Sequence, residues 1–63
     1  MVKIGQIVIA KETFDKLYRR GDKFRILDIV NNVNLVSIKA MRLKDREIYY
    51  FEEEELDDGK SLN

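Results

Sequence analysis

Ile4, Ile7, Val8 and Ile9 form a β-branched cluster around Gly5, and this pattern predicts a strand over residues 2–10. From Thr13 the spacing changes. Phe14, Leu17 and Tyr18 stand at i, i+3 and i+4, which would give a two-turn helix over 13–20 one apolar face. Thr13 suits the start of such a helix and Gly21 a left-handed end. Lys16 occupies the place where a capping box wants Glu or Gln. A helix this short exists only when packed on a sheet, so the same stretch also reads as a long loop folded on itself.

The segment "KFRILDIV", 23–30, is the clearest strand. Simple alternation puts Phe24, Ile26, Asp28 and Val30 on one face, with Arg25, Leu27 and Ile29 on the other. Both faces are partly apolar, as in a barrel strand that runs from an interior to a covered edge. "NNVN", 31–34, predicts a turn, because asparagine tolerates positive φ. Val36, Ile38 and Ala40 then alternate with Ser37 and Lys39, giving a third strand from Leu35 to Leu43. "KDRE" at 44–47 is a second turn, and "IYYF" at 48–51 a short aromatic strand. "EEEEL", 52–56, reads as a single helical turn with Leu56 pointing inward, and 57–63 as a flexible acidic tail.

The expected fold is therefore all-β, with four to five antiparallel strands closed into one small barrel over residues 1–56. A chain of 63 residues is near the lower limit for folding alone. It has no cysteine to staple it and no histidine to help hold a metal, so closing a sheet or pairing with another copy are the remaining ways to gain core. No apolar run approaches the roughly 18 residues that span a membrane. "MVKIGQIVIAKE" lacks the features of a signal peptide, and cysteine is absent, so a cytoplasmic protein with no membrane contact is expected.

Zero net charge hides a split. Residues 1–46 hold eleven Lys and Arg against five Asp and Glu, and residues 47–63 hold one Lys against seven. The halves thus carry +6 and −6. A basic body with an acidic end points to a charged partner, unless the end folds back and neutralises the body.

Two resemblances bear on the fold. Over residues 2–56 the chain resembles small Src-homology-3-like barrel proteins, many of them encoded by phages and mobile elements of Gram-positive bacteria. The resemblance rests on Gly5 with "QIVI", the long stretch 10–20, "RRGDKFRILDI", turns at 31–34 and 44–47, and "IYYFEEEEL". It implies a binding module whose exposed aromatics beside the first loop form a peptide groove. Over residues 5–39 the chain also resembles the AbrB-like swapped-hairpin DNA-binding domains, through "GQIVI", "KE" at 11–12, Leu17 and "GDKF". That resemblance implies an interlocked dimer on a duplex. Ala10 replaces the proline of that pattern, and the fourth strand is not needed there. The barrel covers more of the chain and is preferred, with a monomer or weak dimer expected.

Catalysis is hard to build here. Without His or Cys, a nucleophile or near-neutral base would have to be a carboxylate, Lys or Tyr with a shifted pKa, in a chain with little interior to shift it. No enzymatic activity and no cofactor are expected. "GKS" at 59–61 lacks the glycine a phosphate loop needs at position 54, which is Glu54. Glu52 to Glu55 with Asp57 and Asp58 have no metal-loop spacing and read as solvated surface, so no metal is expected.

Two surfaces remain as candidates. The first is an aromatic-acidic edge for a protein partner, made of Tyr18, Tyr49, Tyr50, Glu52 and Glu53. Successive rings at 49–51 cannot all face inward, though the sequence leaves open which faces out. The second is a basic set for nucleic acid, Lys16, Arg19, Arg20, Lys23 and Arg25, which could neutralise phosphates while Tyr18 stacks on a base.

Overall fold

The structure is a computed structural model that describes residues 2–59. It is a small all-β domain built on one antiparallel five-stranded sheet. The strands are β1 (Ile7–Ala10), β2 (Lys23–Asn32), β3 (Leu35–Arg42), β4 (Ile48–Phe51) and β5 (Leu56–Asp58). Their order across the sheet is β4-β3-β2-β1-β5, with a 3₁₀ turn at Glu53–Glu55 between β4 and β5.

The core follows from strand alternation. Val8 and Ala10, Phe24 and Ile26, Ile38 and Ala40, Phe51 and Leu56 come from one face of successive strands and bury together with Tyr18. The register is consistent with this: Val8 stands opposite Phe24, Ile26 opposite Ala40, and Ile38 opposite Phe51. Burying each large side chain contributes roughly 1.5–3 kcal/mol, so a domain this small depends on nearly every one.

The sheet departs from simple alternation at one point. Ile26 pairs with Ala40 but Asp28 pairs with Lys39, so Leu27 is an extra residue in β2, a β-bulge. Beyond it the parity reverses. Ile29 pairs with Ile38 and packs against the core, while Val30 turns outward. This overturns the expected grouping of Val30 with Phe24 and Ile26.

Three further expectations are corrected and one open alternative is settled. First, the barrel is not closed. The edge strands β4 and β5 are four and three residues long, and the 3₁₀ turn joining them bonds to itself (Glu55 N–H to Glu52 O, 3.0 Å) and to the first loop (Lys11 N–H to Glu55 O, 3.1 Å). No ladder joins the two edges. Second, of the two readings of residues 13–20, the folded loop holds and the helix does not. The Phe14 N–H donates to Tyr18 O at 3.0 Å, Asp15 has φ +50°, and Thr13 Oγ1 accepts from the distant Arg20 N–H at 3.0 Å. A left-handed residue ends any helix at its first turn, and only Tyr18 of the apolar triad is buried.

Third, the folded unit runs past residue 56. Asp57 and Asp58 pair with Ile9 and Val8 in β5, and the Gly59 N–H donates to Ile7 O at 3.0 Å. An edge strand can carry acidic side chains because its ladder uses only backbone, and charge there discourages further strand pairing. The rest of the predicted tail, 60–63, lies outside the described residues. Fourth, no residue of 31–34 has positive φ, although an Asn-rich turn was expected to use it. Asn32 pairs with Leu35, leaving Val33 and Asn34 as the two turn residues.

Among the described residues no helix is long and apolar enough to cross a membrane.

Candidate functional site

Phe24, Tyr18, Tyr49 and Phe51 form a ring cluster whose members meet largely edge to face. Ring centroids are 4.9 Å apart for Phe24 and Phe51, 5.0 Å for Tyr18 and Phe51, and 5.8 Å for Tyr18 and Tyr49. Tyr18 is only 8% exposed, and Tyr49 is half-buried with its hydroxyl donating to Leu17 O at 2.9 Å. Burial raises the Tyr18 pKa, with the Glu55 carboxylate adding to the effect. These two tyrosines clamp the first loop onto the sheet and are not exposed rings of a docking edge.

Arg42 completes the clamp. Its guanidinium holds both oxygens of Asp45 (3.0 and 2.7 Å), donates to Asp22 Oδ2 (3.2 Å) and to Leu17 O (3.0 Å), and lies 5.0 Å from the Tyr49 ring centroid. The hydrogen bond from Arg42 lowers the pKa of Asp45, and the Arg19 N–H, followed by Arg42, lowers that of Asp22. Arg42 is thus committed to structure.

Beyond the clamp, the chain forms an open groove of about 540 Å³ between the 33–34 turn and the 3₁₀ turn. Leu35, Val36 and Leu56 line it together with Glu52, Glu53 and Glu54, and Lys11 stands at its edge. A smaller hollow of about 260 Å³ adjoins it, shares Leu35, Val36 and Glu52, and is walled by Tyr50. The Glu52 pKa is raised, first by a hydrogen bond with Glu54 and then by the Glu54 charge, because like charges are crowded on one rim.

No family model, curated protein or solved structure matches the chain.

The predicted aromatic-acidic edge therefore divides. Tyr50, 65% exposed, lies beside Glu52 and the groove, and Glu53 is on the groove itself, whereas Tyr18 and Tyr49 belong to the clamp. Alternation in β4 accounts for this, since Tyr49 and Phe51 share one face and Tyr50 the other. The basic set lies elsewhere. Lys16, Arg19 and Arg20 are exposed on the first loop, and Lys23 and Arg25 are exposed on the first half of β2. Arg25 Nη1 donates to Gly5 O at 3.3 Å. Lys44 joins Lys23 beside a hollow lined also by Gly21 and Asp22. The ten residues of β2 run from this basic end toward the groove, a span of about 30 Å.

Among the described residues no group of three or more His, Cys, Asp or Glu is placed to hold a metal ion. Sequence reasoning missed Lys11, Leu35 and Val36 as groove residues. One signal was available. Residues 29–38, "IVNNVNLVSI", carry no charge in a chain that is 38% charged, and this run forms one wall of the groove.

Proposed function

We propose that the chain is a small non-enzymatic binding module of the cytoplasm, of the kind phages and mobile elements encode, that docks on a protein partner through the groove between the 33–34 and 3₁₀ turns. One observation carries this reading: an apolar floor of Leu35, Val36 and Leu56 lies against a rim of three glutamates, with Tyr50 alongside. Apolar area supplies affinity, while the carboxylates steer and orient a basic segment. The strand order, the long first loop and the 3₁₀ turn before the last strand fit the Src-homology-3-like resemblance. The non-enzymatic part of the reading rests on a residue inventory without His or Cys.

The rival reading, DNA binding through Lys16, Arg19, Arg20, Lys23 and Arg25, needs those residues to act as one surface away from the acidic rim. A pull-down from lysate beside a mobility shift on duplex and single-stranded DNA separates the two. A retained protein that is lost with Glu53→Lys and Glu54→Lys is expected. Micromolar DNA binding, steeply salt-dependent and abolished by Arg19→Ala with Arg20→Ala, would refute the proposal.

A further inference from the structure

The β2–β3 hairpin ends in three outward aliphatic side chains. Val33 is 99% exposed, Leu35 50% and Val30 47%, and the residues between them are otherwise the uncharged Asn31, Asn32 and Asn34. Folding does not account for Val33. No residue of 31–34 has positive φ, so the backbone makes no special demand there, and a polar residue would sit at the tip with less exposed apolar surface. Val30 and Leu35 share one face as diagonal neighbours, since Val30 pairs with Ser37 and Leu35 with Asn32. Single exposed aliphatics are ordinary, but three at one protruding, charge-free tip form a surface.

We propose that this tip, led by Val33, inserts into an apolar pocket of a protein partner whose rim carries Lys or Arg residues that seat against Glu52, Glu53 and Glu54. The inference rests on the groove reading and extends it by naming the element that enters the partner. Charge selects the occupant. Asn34 and Leu35 line the same groove as the three glutamates, so any surface that takes the tip also meets that acidic rim. Anionic lipid and nucleic acid are disfavoured by it. A second copy offering its own groove would bring glutamates against glutamates. A basic-rimmed protein pocket is the complementary surface.

The test uses the protein retained in the pull-down, purified and titrated with wild type and variants, and a photo-crosslinking residue placed at position 33. Val33→Asn is expected to weaken binding roughly tenfold or more, and Val33→Ile to preserve it. Added salt and Glu53→Gln with Glu54→Gln should weaken it further, and the crosslink should map to aliphatic residues bordered by Lys or Arg. Unchanged thermal unfolding of Val33→Asn serves as the folding control. If Val33→Asn binds normally while the glutamate variants fail, the insertion is refuted and the groove reading stands. Retention of no protein refutes both, as does binding that depends only on Arg19 and Arg20. Binding of phosphatidylglycerol vesicles or self-association that depends on Val33 refutes the insertion into a protein pocket.

Discussion

Arg42 grips Asp45 with two parallel hydrogen bonds, 3.0 and 2.7 Å long, and from that anchor its Nη1 reaches the carbonyl of Leu17. One guanidinium thereby joins the turn after β3 to the first loop. Lysine has no fork to do this. Arg42→Lys is expected to destabilise the domain by about 1–3 kcal/mol in urea unfolding, with faster amide exchange at Leu17 to Asp22. Unchanged stability and exchange would show that the clamp does not hold the loop.

The same contacts set an acid limb. Asp22 and Asp45 have folded pKa values below their unfolded ones. They therefore contribute stability above the unfolded value and lose it as pH falls through the folded one, below about pH 4. Glu52 has the opposite sign, with its folded pKa raised. Its contribution is present at low pH and is lost as pH rises through that value. Asp45→Asn should flatten the acid limb, and Glu52→Gln should remove the weakening that sets in as pH rises above the ordinary glutamate range. Chemical unfolding across pH checks both, and a Glu52→Gln profile parallel to wild type would contradict the second.

Tyrosines on opposite faces of the sheet should behave differently. Tyr18 lies in the ring cluster and Tyr50 on the open face. Tyr18→Ala is expected to cost about 3–5 kcal/mol, enough to unfold much of the population, whereas Tyr50→Ala should stay within about 0.5 kcal/mol. Circular dichroism melts of the two variants would decide, and equal melting temperatures would contradict the assignment of faces.

The end of β5 is also tightly fitted. A Cβ on Gly59 would lie 2.9 Å from the Ile7 carbonyl oxygen. Gly59→Ala is therefore expected to push β5 from β1 and lower stability by about 1 kcal/mol or more, read by denaturant midpoint and by amide exchange at Ile9. If residues from 57 onward were a tail, the substitution would have no effect.

Strand β3 was legible because apolar residues alternate along it, β2 and β4 because they are short runs rich in β-branched and aromatic residues, and Leu56 because it is the first apolar residue after four glutamates. Two kinds of feature were not. Phe14, Leu17 and Tyr18 keep helical spacing, but a segment of this length takes its conformation from tertiary contacts, here the seat of Tyr18 among rings. Asp57 and Asp58 look like solvated tail because edge pairing through backbone leaves no side-chain signature. The candidate surface was half legible for a similar reason. Acidity located Glu52 and Glu53, yet three consecutive aromatics give no parity until a register is fixed, so Tyr49 and Tyr50 could not be told apart.

The bulge at Leu27 divides β2 into two lengths that follow opposite parity. Below it, even-numbered Phe24 and Ile26 face the core; above it, odd-numbered Ile29 does. A one-residue deletion at this point would remove the extra residue and restore simple alternation, leaving Asp28 opposite Lys39 and Ile29 opposite Ile38, so that Ile29 stays in and Val30 out. The bulge is thus a place where descendants of this chain could lose a residue and keep both the scaffold and the face their hairpin presents.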